Sequence, residues 1–343
     1  MKKHPFSLTR VIVSSTFILL MVVSCAPKEK WIKNQGAVFG TYYHLVYESP
    51  GGKDLQAAVL QALDSVNHAL STYDSASVIS RFNQSDKGIA VTNHHFKTVV
   101  EAAQAITKAT DGAFDMTVAP LVNAWGFGFS KKQTITPHLL DSLTSLVGMQ
   151  KVLLRGDSLI KLKPGLMIDA SAIAKGYGVD IAAKVLEING CANYLVEIGG
   201  EVYSKGHNPQ SKPWRVGIDK PIDDPAASNR QIQTVVNLSG KALATSGNYR
   251  QFYIDENTGI KYAHTIDPRT GNPVNHSLLS ASVIANDCMT ADAYATACMV
   301  MGLEKSMELF SQHPELEGYF IYDTPQGMKT IHTPGFEKYL ADN

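Results

Sequence analysis

The chain of 343 residues has no charge excess of either sign: 31 Lys and Arg balance 31 Asp and Glu, for a formal net charge of +0. Without a basic field to concentrate polyanions, nucleic acid is set aside as a partner. Cysteine is scarce, four residues in all, and Cys191, Cys288 and Cys298 form no C-x-x-C pair and no Cys/His cluster with zinc spacing. That argues against a structural metal knot. One disulfide is possible in an oxidising compartment, with no pair singled out, and buried free thiols are the expected state. Neither common glycine-rich phosphate fingerprint occurs, and there is no internal repeat or low-complexity segment. Apolar residues still make up 44% of the chain, enough for a sizeable core.

The one long apolar run, Val11 to Val23, is broken by Ser14, Ser15 and Thr16 and follows Lys2, Lys3 and Arg10. It is short for a bilayer crossing and reads as a signal peptide over residues 1–24. Its V-V-S-C ending resembles the lipobox of bacterial lipoproteins, with Val22 three before and Ser24 one before Cys25, the residue to be lipidated. An ordinary secretory signal with an incidental Cys is the other reading. Acyl chains on Cys25 would hold the protein at a membrane, each buried methylene contributing about 0.8 kcal/mol. Residues 25–34 then form a polar tether and 35–340 the folded domain. The expected location is the bacterial cell envelope, lipid-anchored and facing the periplasm.

The centre of the domain is M-I-D-A-S-A-I-A-K-G-Y-G-V-D, Met167 to Asp180. Met167 and Ile168 read as the end of a strand, and Val179, Ala182, Ala183 and Leu186 keep the spacing of one helical face. Between them stand Asp169, Ser171 and Lys175, with Gly176 and Gly178 removing side chains that would keep a ligand from the backbone. Free amides at a helix start beside a Lys describe an anion site, for a phosphate above all. A capped strand-to-helix turn with a solvated Lys explains the same residues.

Before this centre the pattern predicts a strand over Ala37 to Tyr47 and helices over Asp54 to Leu70, Phe96 to Ala109 and Pro137 to Val147. Ser71 to Asn83 reads as a polar loop whose Tyr73 could stack on a flat ring or pin the loop. In G-A-F-D-M-T, Asp115 either satisfies local amides or touches a ligand. Trp125 to Phe129 reads as a loop, and Lys151 to Lys163 as a hairpin turning at Gly156-Asp157. After Gly190 come strands over Asn193 to Ile198, Glu201 to Lys205, Trp214 to Asp219, Gln231 to Leu238, Tyr249 to Asp255 and Ile260 to Ile266. Two loops carry chemistry, Ala244 to Arg250 and His264 to Pro273. A last helix over Met289 to Gly302 sets Asp292 and Thr296 four apart on one face. Two hard oxygens suit Mg²⁺ better than zinc, although Asp in a first turn also complements the helix dipole. The tail reads as a helix, a hairpin and a frayed end.

Six pieces in one order carry a resemblance: S-T-Y-D…I-S-R-F-N, G-A-F-D-M-T-V-A-P-L, I-D-A-S-A-I-A-K-G-Y-G-V-D, A-T-S-G-N-Y-R, H-T-I-D-P-R-T-G and A-D-A-Y-A-T. Together they resemble the ApbE family, the FAD:protein FMN transferases. The resemblance implies an α+β fold, antiparallel sheet flanked by helices in a T-fold-like roll, with the site between the early helical part and the later strands. It implies that Phe39, Tyr73, Ala113, Phe114, Asp115, Asp169, Lys175 and Ile266 line an FAD pocket. Mg²⁺ would rest on the Ala172 carbonyl, Asp292 and Thr296. The implied reaction is attack by a Thr or Ser hydroxyl of an acceptor flavoprotein on the FMN-side phosphorus of FAD. That leaves FMN in phosphodiester linkage and releases AMP. The implied acceptors are membrane electron-transport subunits or other extracytoplasmic flavoproteins. His264 is the candidate base, since an imidazole titrates near neutrality; Asp267 could orient or replace it. Three rivals stand beside this reaction: FAD hydrolysis to FMN and AMP, a flavin-binding lipoprotein without turnover, and a membrane-tethered structural module whose polar loops are only turns.

Overall fold

The first described element is a hairpin where a single strand is expected. Strand β1 (Lys30–Val38) turns at Phe39 and Gly40 into β2 (Thr41–Ser49). The computed structural model describes residues 30–128, 131–222, 230–249, 252–255, 259 and 261–341, so the signal segment, Cys25 and Arg250 lie outside it. Strand β1 takes in residues 30–34, the end of the expected tether, because pairing with β2 runs unbroken from Lys30↔Ser49 to Val38↔Thr41. Phe39 (φ 52°) and Gly40 (φ 74°) both adopt the left-handed region that a tight two-residue hairpin turn demands. Glycine does so freely; a phenylalanine there is strained, so its neighbours must hold it.

A helical layer follows: α1 (Gln56–Leu70), α2 (Val78–Gln84), β3 (Gly88–Ala90), α3 (His94–Ala109), a 3-10 turn Met116–Val118, α4 (Ala119–Trp125) and α5 (Pro137–Thr144). Helix α2 lies inside the expected loop. Ser77 Oγ accepts the Ser80 amide at its start, and Phe82 is fully buried beneath it. Strands β4 (Val152–Arg155) and β5 (Ser158–Lys161) form the expected hairpin, with β3 on the outer side of β5. Met167 and Ile168 belong to no strand. Asn83 pairs with Ile168 in a strand's place: Asn83 Nδ2 donates to Ile168 O (2.9 Å) and Ile168 N donates to Asn83 Oδ1 (2.8 Å). Helix α6 (Ala174–Ile188) then runs as its periodicity requires.

The second half supplies most of the sheet: β6 (Tyr194–Ile198), β7 (Glu201–Lys205), β8 (Trp214–Asp219), β9 (Ile232–Leu238), β10 (Lys241–Gly247), β11 (Phe252–Ile254), β12 (Lys261–Ala263) and β13 (Leu278–Ala285). Helices α7 (Cys288–Met301) and α8 (Leu303–Gln312) and strands β14 (Glu317–Tyr322) and β15 (Lys329–His332) complete it. Eight strands in the order β1-β2-β6-β7-β10-β13-β14-β15 make one antiparallel sheet. Ala244 to Gly247, expected in a loop, lie in β10. Near the end of the described chain, Pro334–Tyr339 form a 3-10 segment with Phe336 fully buried.

Alternation along the central strands sorts residues between two cores. Ala242, Ala244, Ala281, Val283 and Phe320 face the large core beneath α1, α3, α6 and α7. Leu243, Ile284, Tyr319 and Ile321 face the other side, covered by the β8–β9 hairpin and Phe336. This is the expected α+β architecture. The three cysteines Cys191, Cys288 and Cys298 are buried and free. Among the described residues no helix is long and apolar enough to cross a membrane.

Candidate active site

Helices α6 and α7 lie antiparallel against the sheet, and each supplies a carboxylate to the other's first turn. Asp180 of α6 accepts the Cys288 and Met289 amides (2.8 Å each), and Asp292 Oδ2 of α7 accepts the Gly176 amide (2.9 Å). These are donors that a helix cannot satisfy within itself, and Ile173, at the N-cap of α6, has no side chain to do so. Their location explains the two glycines. A Cβ on Gly176 would meet Cys288 O at 2.3 Å, and one on Gly178 would meet Phe39 Cε2 at 2.4 Å. So the missing side chains admit α7 and the Phe39 ring, correcting the expectation that they admit a ligand.

Lys175 projects from the same turn. Its Nζ is 3.1 Å from Glu201 Oε1 and 3.8 Å from Asp292 Oδ1. Burial alone would lower its pKa, but the charges of Asp292 and Glu201 outweigh this and raise it above the ordinary lysine value. Burial, opposed by the Lys175 charge and reinforced by Asp292, pushes the Glu201 carboxyl up to about 7. Sequence reasoning placed Glu201 on a strand but gave it no role. Its signal was legible, since Glu201 shares a face of β7 with Tyr203, which packs on the main core, and a carboxylate facing a core is out of the ordinary.

Asp169 lies four residues upstream of Ile173. Its amide donates to Met116 O (2.8 Å), and its Oδ1 accepts the Ser171 amide and hydroxyl. The Ala113 to Asp115 segment thus lies beside it. Asp115 satisfies local amides, the first of its two readings: Oδ1 accepts from Thr117 N and Oγ1, and Oδ2 from Met149 N (3.0 Å). Burial raises its pKa despite these bonds. Ile266 is buried with Leu121 and Trp125, and the His264 ring stands edge-on to Phe127 at 6.4 Å. Asp267 is engaged by Arg269 through Nε (2.9 Å) and Nη2 (2.8 Å). Tyr73 is 80% exposed on the turn after α1. A cavity of about 670 Å³ between α3 and the Gly148 turn borders the expected set only at Asp115.

Donor chemistry tests whether a divalent cation fits at Asp292. Among the described residues no three His, Cys, Asp or Glu side chains gather as a metal site, so a cation would need a mixed oxygen set. The Ala172 carbonyl precedes α6 and accepts no hydrogen bond from the described residues, which leaves it an available hard donor. Asp292 is 3% exposed, and Thr296 Oγ1, one turn on, lies 3.1 Å from Ser246 Oγ. Glu201 Oε2 is buried with no hydrogen-bond partner among the described residues. With both carboxylates ionised, Lys175 leaves the cluster one charge negative. The residues fit a cation.

Asp180 makes the helix pair pH-sensitive. Burial, opposed by its two hydrogen bonds and reinforced by Asp287 and Asp292, pushes its carboxyl from 3.8 up to about 7. Between those values the folded state holds a proton that the unfolded state has released, so stability falls as pH rises through the window and levels off above it. Asp180→Asn is expected to flatten this fall in melting temperature. Parallel profiles for the two proteins would remove Asp180 from the pH response.

Fold and site together define an α+β protein in which a helix start, an ammonium and clustered hard oxygens converge. The ApbE family profile matches residues 39–320. The FAD:protein FMN transferase of Vibrio cholerae is 38% identical, with 94% of this chain and 97% of that protein covered. Solved structures of the flavin transferase ApbE from Vibrio cholerae (37% identity, 91% and 100% covered) and of the flavinyl transferase ApbE from Pseudomonas stutzeri (31%, 92% and 98%) each superpose with a TM-score of 0.81. The chain belongs to the ApbE family.

Proposed function

We propose that this chain is an FAD:protein FMN transferase, moving FMN from FAD to an acceptor flavoprotein. Kinship with relatives of that name over nearly the whole chain supports the reading. The observation that carries it is the convergence of Asp292, the α6 start and Lys175 in one buried cluster. A helix end contributes roughly 0.3 to 1 kcal/mol to anion binding, whereas catalysis requires about 8 kcal/mol or more. Further charge is needed, and we infer Mg²⁺ held by the Ala172 carbonyl, Asp292 and Thr296. Once bound, that ion neutralises charge developing on the phosphates.

The chain's own residues bind and orient. Lys175 faces the pyrophosphate, while Phe39, Tyr73, Ala113 to Asp115, Asp169 and Ile266 enclose the rest of FAD. His264 takes the proton from the acceptor's Thr or Ser hydroxyl as its oxygen bonds to the FMN-side phosphorus. The bond to the AMP phosphate breaks, and AMP leaves with the electron pair. The signal pattern and Cys25 support a lipid-anchored enzyme facing the periplasm, with membrane electron-transport subunits as acceptors.

Incubation with FAD, Mg²⁺ and a Thr-containing acceptor domain is expected to add FMN mass to the acceptor and release AMP. AMP without acceptor modification would make the chain a hydrolase; neither product would make it a storage protein. His264→Ala is expected to slow transfer by about 10²-fold or more with FAD binding retained. A pH-rate profile unchanged in height and shape would dismiss His264 as the base.

A further inference from the structure

Glu201 reaches the helix pair from the far side of a tight turn. Strands β6 and β7 join through Gly199 (φ 60°) and Gly200 (φ 101°), and a Cβ on Gly199 would lie 3.3 Å from Lys175 Cδ and 3.1 Å from Thr41 Oγ1. The bare turn lets the Lys175 stem pass over it and lay its ammonium on Glu201 Oε1 at 3.1 Å. Glu201 is 4% exposed, with its other oxygen unpartnered among the described residues. As a structural pair this is poor value, since desolvating two charges offsets most of their attraction.

What the arrangement does is visible at Asp292. Its Oδ2 is taken by the Gly176 amide, while Oδ1 faces Lys175 at 3.8 Å, beyond hydrogen-bonding distance. A charge-assisted bond there requires a shift of only about 1 Å. An ammonium bonded to Oδ1 would leave that carboxylate with both oxygens engaged and cancel its charge. With Glu201 holding the ammonium, that shift is opposed.

We propose that Glu201 is a positioning residue: by anchoring the Lys175 ammonium it keeps Asp292 Oδ1 available to a divalent cation. This rests on the cation site inferred at Asp292. Mn²⁺ alone, titrated without FAD and followed by loss of the free-ion EPR signal, reads it directly. Glu201→Gln is expected to weaken Mn²⁺ binding roughly tenfold or more. In a Lys175→Met background, where no ammonium remains to be held, the same change is expected to shift affinity by no more than about twofold. Glu201→Asp keeps the charge on a shorter stem and is expected to fall between wild type and Glu201→Gln, which preserves the test if Glu201→Gln folds poorly.

Equal affinity in wild type and a folded Glu201→Gln variant would overturn the role. A full-sized loss persisting without Lys175 would also overturn it, because Glu201 would then act on the cation itself. Failure of the wild type to bind Mn²⁺ would remove the cation site and this role together. The first two outcomes leave the cation site standing and only the third does not, so the two failures are distinguishable.

Discussion

Asp292→Asn is expected to lower FMN transfer by on the order of 10³-fold, about 4 kcal/mol of barrier, while the protein melts close to the wild-type temperature. The amide side chain keeps one carbonyl oxygen, so the Gly176 N–H retains its acceptor. What disappears is the negative charge beside Lys175 and the hardest oxygen in the proposed cation set. Asp292→Ala separates the two roles. It leaves the buried Gly176 amide unpaired, at a cost of about 1–3 kcal/mol. It also relieves the repulsion between two carboxylates that share one ammonium, so the net loss of stability is expected at the lower end of that range. Transfer should be as slow in Ala as in Asn, with a lower melting point in Ala alone. Acceptor mass and AMP release measure the first effect and thermal melting the second. Undiminished transfer in the folded Asn variant would take Asp292 out of the chemistry.

Residues that act within their own element were legible from the sequence, and residues that act across the fold were not. The apolar spacing of α1, α3 and α6 marks one buried stripe on each, and the alternation in β6 to β9 marks one buried face. Strand β13 escaped because it is central: Ser280 to Ala285 are buried on both faces, so the polar half of the alternation is missing. Helix α2 escaped because seven residues make too few turns to show a period. Phe39-Gly40 lacks the residue pair that announces a hairpin turn, and its strain is borne by contact with Gly178, distant in sequence. Asp292 and Lys175 could be singled out by residue type. Their meeting and the mutual capping by Asp180 and Asp292 depend on the antiparallel crossing of two helices more than 100 positions apart, and the hold of Glu201 on Lys175 depends on the β6–β7 turn that lies against the lysine stem.

The Asn83 clamp carries the other large expected effect. Ile168 is fully buried, and both of its backbone polar groups are served by one side chain, whose own backbone oxygen accepts from Lys161 Nζ at 3.1 Å. Asn83→Ala would strand a donor and an acceptor where water does not reach, each at about 1–3 kcal/mol. A loss of roughly 2–5 kcal/mol is therefore expected in chemical denaturation. Aspartate is no remedy, since a carboxylate accepts from the Ile168 amide but repels its carbonyl; glutamine carries the same groups one methylene too far. The segment so released includes Asp169 and Ala172, and small displacements of positioning groups are costly in rate. Under conditions where the variant remains folded, the KM for FAD should rise on the order of tenfold. A denaturation midpoint within about 0.5 kcal/mol of wild type would mean that the two stranded groups find other partners and that the segment holds itself in place without Asn83.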